Sequence, residues 1–368
     1  MKYLDEFRNT PAARALVDEI RRCASREWTL MEVCGGQTHS LLRHGIDMEL
    51  AGVVELVHGP GCPVCVTALE AIDMAQQIAQ RDDCLLTSFG DMLRVPGSRQ
   101  TLLDVRAAGG NVRAVYSPLD ALDLAKTYPS RQVVFFAVGF ETTAPATALA
   151  VQQAERYGLD NFVLLVAHVR VQPAMEMLAD SPDHRVQAFL AAGHVCTVMG
   201  YESYDAFCAR FRMPVVVTGF EPVDLLRGIH ACVRQLEANE ARAENQYSRS
   251  VRPEGNPAAQ DIVRAVYEVC DRPWRGLGEV AAGGLRLREQ WQHFDAERRF
   301  GLSDLRVIEN DECRAGDVLA GRIKPTGCPS FGKSCTPENP LGAPMVSSEG
   351  ACAAYFHYHQ APSTAVEP

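Results

Sequence analysis

The sequence predicts an α/β protein with two similar parallel-sheet domains, followed by a smaller, cysteine-rich C-terminal domain. Short, nearly continuous apolar runs alternate with amphipathic helical patterns through the first 240 residues, as expected for parallel strands that are covered on both faces. The rest of the chain is instead rich in glycine, proline and cysteine. With 368 residues, of which 47% are hydrophobic, the chain is long enough for two or three domains.

The individual elements follow from the same patterns. The first helix is predicted to begin at Thr10-Pro11, a capping residue followed by proline in the first turn. Strands are predicted at 28–33, 53–57, 84–89, 112–116, 133–138, 162–167 and 214–219. Helices are predicted at 67–80, 99–108, 144–157, 222–241 and 257–270.

The order of these elements predicts four segments: an N-terminal helical segment (1–27), a first α/β domain (28–127), a second α/β domain (128–240), and a linker with the C-terminal domain (241–368). The sequence Gly-Phe-Glu follows a strand at both 139–141 and 219–221. Internal duplication and ordinary strand-to-helix turn chemistry both explain this repeat. Functional groups in open α/β sheets collect beyond the carboxyl ends of the strands, so these turns are candidate sites.

Composition and charge exclude several classes of protein. The formal net charge is −10 and no run of lysine and arginine is present, so a general nucleic-acid binder is not expected. The N-terminal residues carry scattered charges and lack the apolar region of a secretory signal. No apolar stretch reaches the roughly 20 residues that cross a bilayer. The sequence therefore predicts a soluble protein of the cytoplasm without a membrane partner.

Thirteen cysteines are present. In the reducing cytosol they indicate buried packing, metal ligation or redox chemistry rather than a disulfide framework. Six of them occupy helix or strand patterns and are interpreted as packing residues: Cys23, Cys84, Cys196, Cys208, Cys232 and Cys270. The other seven lie beside glycine and proline and are candidates for chemistry.

Cys34 ends a predicted strand and begins the sequence Cys-Gly-Gly-Gln-Thr-His, ahead of a helix predicted to be capped by Thr38. The two glycines leave the thiol sterically open, and the helix N-terminus favours the thiolate that binds metal or attacks. A buried strand-end cysteine is the alternative. His39 is a candidate ligand or proton carrier, with a surface or packing role as its alternative.

Cys62 and Cys65 form a C-x-x-C pair between a strand and a helix that is predicted to begin with a Thr67/Glu70 capping box. In a cytosolic chain this arrangement is typical of redox-active dithiols, and it also suits iron chemistry. Half of a zinc site is the alternative, although no second C-x-x-C pair completes it.

The C-terminal segment contains four more candidate ligands: Cys313, Cys328, Cys335 and Cys352. This segment has too few apolar residues for a core of its own, so an inorganic group is expected to stabilise it. Four thiolates are the ligand set of a [4Fe–4S] cluster. Zinc bound by four cysteines has the same ligand set, but the segment lacks the C-x-x-C knuckle of zinc ribbons.

Taken together, these segments resemble the HypD family of hydrogenase maturation proteins. The matching sequences occur in the family's order and span nearly the whole chain: MEVCGGQTH (31–39), GPGCPVC (59–65), FGDMLRVPGS (89–98), VGFETTAP (138–145), GFEP (219–222), CPSFGKSCTP (328–337) and MVSSEGAC (345–352). The resemblance implies two α/β domains and a third domain that carries a [4Fe–4S] cluster.

The resemblance also implies roles for individual residues. Cys34 would ligate an iron that carries two cyanides and one carbon monoxide, with His39 beside it, while Cys62 and Cys65 would exchange electrons at the same site. Three polar residues would line the cavity or the partner surface: Asp91, Glu141 and Glu349. The implied partners are a small HypC-like chaperone, a HypE-like cyanide donor and, through HypC, the hydrogenase large subunit.

One position departs from the family pattern, which places a cysteine just before Met345, where this chain has Pro344. The fourth cluster ligand is then Cys313 or a histidine, His357 or His359; a three-iron cluster, a labile cluster or no cluster are further alternatives. The expected function is a scaffold and redox carrier for the Fe(CN)2CO unit of [NiFe] hydrogenase, rather than an ordinary turnover enzyme. A cluster-dependent thiol–disulfide oxidoreductase and a zinc-stabilised interaction module are the competing hypotheses.

Overall fold

The computed structural model describes residues 5–302, 307 and 310–359. Its strands form two parallel sheets and one antiparallel hairpin, which confirms the predicted α/β class. The strands are β1 (Trp28–Glu32), β2 (Val54–His58), β3 (Cys84–Ser88), β4 (Val112–Ala114), β5 (Gln132–Gly139), β6 (Phe162–His168), β7 (Ala188–Ala192), β8 (Val215–Thr218), β9 (Ala243–Asn245), β10 (Tyr267–Trp274) and β11 (Gly278–Leu287).

Helices connect these strands and cover the sheets. They are α1 (Thr10–Cys23), α2 (Gly35–Arg43), α3 (Ile46–Glu49), α4 (Pro63–Val66), α5 (Leu69–Ala79), α6 (Leu102–Ala107), α7 (Pro118–Thr127), α8 (Ala144–Tyr157), α9 (Val171–Asp180), α10 (Gly193–Met199), α11 (Ser203–Phe211), α12 (Pro222–Glu237), α13 (Pro257–Val266), α14 (Ala296–Phe300), α15 (Ala315–Leu319) and α16 (Ala351–Tyr358). Short 3₁₀ helices lie at Asp5–Phe7, Gly90–Arg94, Glu289–Phe294, Pro325–Gly327 and Ala343–Met345. In the described part of the chain, no helix combines the length and apolarity that crossing a membrane requires.

The first sheet has the strand order β2-β1-β7-β8-β9, and all its strands run parallel. The sequence patterns predicted neither β7 nor β9. Strand β7 lies at the centre of the sheet, where all five of its residues are buried. Strand β9 extends the sheet beyond the boundary predicted at residue 240, because it hydrogen-bonds to β8.

The second sheet has the strand order β4-β3-β5-β6 and is also parallel. The predicted boundary between residues 127 and 128 is wrong for this sheet, because β3 pairs directly with β5. The second sheet (84–168) is instead inserted between the two parts of the first (28–58 and 188–245).

The hairpin β10–β11 begins at Tyr267, within the helix that was predicted to continue to residue 270. Helix α13 ends at Val266, and the chain continues extended from Tyr267. The Tyr267 hydroxyl donates to Thr147 Oγ1 of α8 at 3.0 Å, so burying this tyrosine against the second sheet's helix fixes the change of conformation. Cys270 therefore lies on a strand and not on a helix.

The helix ends show which local signals were decisive. Asn9 caps α1 by accepting a hydrogen bond from Ala12 N at 2.9 Å. The cap predicted at Thr10 is therefore wrong, because Thr10 is the first helical residue, although Pro11 does lie in the first turn. Helix α8 spans the predicted 144–157 and stops at Gly158, whose φ is 62°. The caps predicted at Thr38 and Thr67 are wrong, because α2 begins directly after Cys34 and α5 directly after Ala68.

Candidate functional site

Four residues that closely follow strands bring their side chains to the carboxyl edge of the first sheet. Cys34 follows β1, Cys62 follows β2, His194 follows β7 and Phe220 follows β8. Strands β2, β1, β7 and β8 are parallel and adjacent, so their carboxyl ends lie at one edge. This edge of the sheet is the candidate site.

The Cys34 turn lies between two other loops, whose backbones approach it closely. Gly35 N donates to Gly61 O at 2.9 Å, and a Cβ on Gly61 would lie 2.2 Å from Cys34 N. On the opposite side, a Cβ on Gly35 would lie 2.3 Å from Glu349 O. Glycine at these two positions therefore lets the C-x-x-C loop and the C-terminal segment approach Cys34 from both sides.

The Cys34 thiol lies among His194, Phe220 and buried backbone. Its Sγ is 3.5 Å from His194 Nδ1, and the imidazole packs on the Phe220 ring with centroids 5.5 Å apart. Burial raises the pKa of the Cys34 thiol well above its usual value, although backbone hydrogen bonds from Gln37 and Gly36 oppose the shift. Desolvation therefore outweighs the predicted effect of the helix N-terminus, and a nearby cation such as a metal ion would favour the thiolate.

Cys62 and Cys65 lie at the two ends of a single turn. Cys62 precedes the first residue of α4, and Cys65 N donates to Cys62 O at 3.1 Å. Burial is the main cause that raises the pKa of Cys65, followed by its hydrogen bond with the Cys62 side chain. The charges of Cys352 and Glu349 raise this pKa further. The two thiols therefore belong to one turn, and α4 contacts the C-terminal segment at Ala343–Met345.

The cysteines of the C-terminal segment line one small cavity, together with Pro344. They reach it from four different elements: Cys313 before α15, Cys328 after a 3₁₀ turn, Cys335 in a tight turn and Cys352 in the first turn of α16. A Cβ on Gly342 would lie 2.3 Å from Cys313 Sγ, so glycine at this position makes room for the Cys313 thiol. Burial raises the pKa of Cys352 well above its usual value.

Four thiols are the number of ligands that a [4Fe–4S] cluster takes, and Cys313 is the fourth thiol at this cavity, which Pro344 also lines. The two histidine alternatives lie elsewhere: His357 is exposed, and the His359 ring stacks on Tyr355 with centroids 4.6 Å apart. Within residues 5–302, 307 and 310–359, no three His, Cys, Asp or Glu side chains converge in a manner that would hold a single metal ion.

Comparison with known proteins shows the family of the chain. Residues 11–359 match the family model HypD, described as the "Hydrogenase formation hypA family". The "Hydrogenase maturation factor HypD" of Rhodobacter capsulatus is 46% identical, over 97% of this chain and 98% of that protein. The chain belongs to the HypD family. It is a hydrogenase maturation factor, as the resemblance of its motifs predicted.

Two further relatives cover the same length. The "Hydrogenase expression/formation protein HupD" of Azotobacter chroococcum mcd 1 is 46% identical, over 100% of this chain and 99% of that protein. The "Hydrogenase maturation factor HypD" of Escherichia coli (strain K12) is 43% identical, over 99% of this chain and 100% of that protein. The likeness to the HypD family therefore includes the C-terminal cysteine segment as well as both sheets.

His39, which the HypD resemblance places beside the iron, connects α2 to the C-terminal segment. Its Nε2 is 3.1 Å from the Tyr358 hydroxyl oxygen, and its Nδ1 is 3.4 Å from Ser348 O. The rings of His39 and Tyr358 also meet edge to face, with centroids 5.2 Å apart. These contacts make His39 part of the interface between α2 and α16.

Asp91 and Glu349 approach each other across Ser347. The Ser347 hydroxyl donates to Asp91 Oδ2 at 3.0 Å and accepts from Glu349 N at 3.3 Å. Partial burial raises the pKa of the Glu349 carboxyl, and the charge of Asp91 raises it further. The structure therefore brings together two of the three predicted polar residues, next to the Cys34 turn.

Glu141, the third of these residues, lies at the N-terminus of α9. Its carboxylate accepts from Val171 N at 3.1 Å, where the helix dipole favours an acidic group. Burial raises the pKa of this carboxyl, and the buried Cys196 and Tyr204 lie within range of its charge. Its hydrogen bonds among the described residues assign Glu141 to capping α9.

Most of the cysteines interpreted as packing residues are buried as expected: Cys84, Cys196, Cys208 and Cys232. Cys23 and Cys270 are partly exposed. Sequence reasoning also missed four site residues: Glu32, His58, His194 and Tyr355. His194 could have been found by recognising β7, since its loop then falls at the same sheet edge as Cys34. The Glu32–His58 and His58–Tyr355 contacts join distant positions and left no signal in the sequence.

Proposed function

We propose that this chain is a scaffold and redox carrier on which the Fe(CN)2CO unit of [NiFe] hydrogenase is assembled together with a HypC-like protein. The observation that carries this proposal is the enclosure of the Cys34 turn between the C-x-x-C loop and the C-terminal segment. A lone thiol, a dithiol and a four-thiol cavity are thereby adjacent. An assembly role needs this proximity, because ligand chemistry at one iron requires an anchor and a supply of electrons.

Cys34 is the proposed anchor for the iron. Low-spin iron(II) with cyanide and carbon monoxide suits a soft thiolate ligand. The buried thiol favours its protonated form, so the incoming cation provides the charge that stabilises the thiolate. His194 Nδ1, at 3.5 Å from Sγ, is placed to accept the released proton. The close pair Cys62 and Cys65 is the proposed redox group, because a dithiol and its disulfide interconvert by two electrons and two protons.

Cys313, Cys328, Cys335 and Cys352 are the proposed ligands of a resident [4Fe–4S] cluster, which supplies one-electron redox chemistry when bound. The convergence of four cysteines on one cavity supports an inorganic group at this place, and zinc bound by four cysteines would use the same ligands. Anaerobic purification followed by iron and sulfide analysis tests the proposed cluster. About four irons and four sulfides per chain are expected, and stoichiometric zinc with little sulfide would contradict the proposal.

Infrared spectroscopy tests the iron anchor. The chain purified anaerobically with its HypC-like partner should show cyanide and carbonyl stretching bands. Cys34→Ala should abolish them, whereas the matched control Cys23→Ala, on the outer helix α1, should retain them. Bands that persist in Cys34→Ala would exclude this thiol as the ligand.

A second candidate function is a cluster-dependent thiol–disulfide oxidoreductase. It is favoured by the contact of α4, which carries Cys65, with the 3₁₀ helix Ala343–Met345, which contributes to the lining of the four-cysteine cavity. It predicts reduction of a protein disulfide that depends on Cys62 and Cys65 and is indifferent to Cys34→Ala. The scaffold function instead requires all three thiols, a HypE-like cyanide donor and transfer through HypC to the hydrogenase large subunit. The proposed location of this activity is the cytoplasm, where cysteine thiols stay reduced.

A further inference from the structure

A buried chain of polar groups joins the Cys34 turn to the C-terminal helix. His58 Nδ1 lies 2.6 Å from Glu32 Oε1, and His58 Nε2 lies 3.0 Å from the Tyr355 hydroxyl oxygen. The Glu32 and His58 side chains are 0% and 1% exposed. Buried polar groups are stable only when each is paired, so each side chain in this hydrogen-bonded series restricts the position of the next.

Glu32 is the centre of the network, because both of its carboxylate oxygens are engaged. Oε2 accepts a hydrogen bond from Cys34 N at 2.9 Å. Oε1 accepts from the Thr38 hydroxyl and also faces His58. Since Thr38 belongs to α2, the carboxylate holds both the residue that carries the thiol and the helix that follows it.

His58 and Tyr355 hold the carboxylate from the opposite side. When His58 donates its Nδ1 proton to Glu32, its Nε2 is left to accept the Tyr355 hydroxyl proton. Tyr355 lies on α16, three residues after Cys352, which lines the four-cysteine cavity. One helix therefore contacts both the cavity and the group that fixes Cys34.

We infer that Glu32 is a positioning residue for iron ligation by Cys34, and that His58 and Tyr355 hold it in place. The inference rests on the proposed role of Cys34 as the iron ligand. The carboxylate fixes the backbone of the residue whose sulfur binds the iron, and a hydroxyl on the cavity-bearing helix orients the carboxylate. The C-terminal segment thereby sets the direction in which Cys34 presents its sulfur.

Tyr355→Phe tests this role, because it removes only the hydroxyl group. The full chain is purified anaerobically with its HypC-like partner, and the cyanide and carbonyl bands are recorded. Iron and sulfide contents should match the unaltered complex, whereas the band frequencies should shift and a chelator should extract the Cys34-bound iron faster. Tyr267→Phe is the matched control: it also removes a buried tyrosine hydroxyl, here bonded to Thr147, and should leave the bands unchanged.

His58→Asn supplies an independent test of the same link. The asparagine amide can replace Nδ1 toward Glu32 but is too short to reach Tyr355. It should shift the bands as Tyr355→Phe does, and the double variant should shift them no further, because both changes break one link. If Tyr355→Phe fails to retain its cluster, the band frequencies of the His58→Asn complex alone test the inference.

Three outcomes are decisive. Unshifted bands in an iron-loaded Tyr355→Phe or His58→Asn complex would overturn the inference and leave the proposed function intact. Additive shifts in the double variant would also overturn it, because the two residues would then act separately. Bands absent from the unaltered complex would refute the proposed function, and the inference with it.

Discussion

Replacing Gly61 with alanine tests the contact that brings the C-x-x-C loop to Cys34. The new Cβ would lie 2.2 Å from Cys34 N, 2.4 Å from Cys34 Cα and 2.6 Å from Val33 C. All three are backbone atoms, so no side-chain rotation can relieve the overlap. Restoring ordinary van der Waals separation requires the loop to move by about 1 Å.

The magnitude follows from two costs. Overpacking of this kind destabilises a protein by about 1–3 kcal/mol. The same movement stretches the hydrogen bond from Gly35 N to Gly61 O, now 2.9 Å, and leaving a buried donor unpaired costs about 1–3 kcal/mol. The free energy of unfolding should therefore fall by roughly 2–6 kcal/mol, the sum of these two ranges.

Urea unfolding under anaerobic conditions, followed by circular dichroism, measures this change. Gly90→Ala is the matched control, because nothing lies within 4 Å of a Cβ at that position. Its free energy of unfolding should change by less than about 1 kcal/mol. Superimposable unfolding curves for the two variants would refute the steric reasoning.

Three further predictions concern stability. Burial lowers the pKa of His168 to about 4, below the roughly 6.5 of an unfolded histidine. The neutral imidazole therefore contributes fully to the free energy of unfolding above pH 6.5, and this contribution falls by about 3 kcal/mol as the pH drops to 4. Urea midpoints across this range should depend less on pH in His168→Gln. Arg249→Met should lower the free energy of unfolding by about 3–5 kcal/mol, because the fully buried Asp224 loses its ion pair. The double variant Arg249→Met/Asp224→Asn should recover most of that stability against urea, because it no longer leaves an unpaired buried charge. Chelating the proposed cluster should speed tryptic cleavage at Arg322 and Lys333, detected by mass spectrometry, because the segment around the cavity loses its inorganic cross-link. Equal cleavage with and without chelator would argue against a stabilising cluster.

Sequence patterns predicted the fold where a local signal was strong. The bounds of α8 came from its proline-containing start and its glycine end, and the continuous apolar runs of β5 and β6 marked fully buried strands. Strand β7 was not predicted because its alanine-rich sequence, AFLAA (188–192), leads directly into helix α10 and resembles a helix itself. Without β7 and β9 the two sheets could not be assigned correctly, and the insertion of one into the other stayed hidden.

The site was predictable only as far as its chemistry was local. Glycines beside cysteines identified Cys34 and the Cys62/Cys65 pair, and the structure brings them together. Ordinary residue types gave no such signal: Glu32 and Tyr355 acquire their roles from partners that folding supplies. The sequence also predicted a thiolate at Cys34, whereas burial raises the pKa of this thiol. Burial depends on tertiary packing, which the spacing of residues along the chain does not reveal.

The insertion of the second sheet also dictates an order of events on the ribosome. Strands β1 and β2 emerge first, but β7, which pairs with β1 at the sheet centre, follows only after residues 59–187. The second sheet has all its partners within 84–168, so it is expected to form earlier. The sulfur atoms of Cys34, Cys62 and Cys65 consequently face solvent in the nascent chain until late strands cover them. Oxygen encountered during synthesis threatens these thiols more than oxygen met after folding.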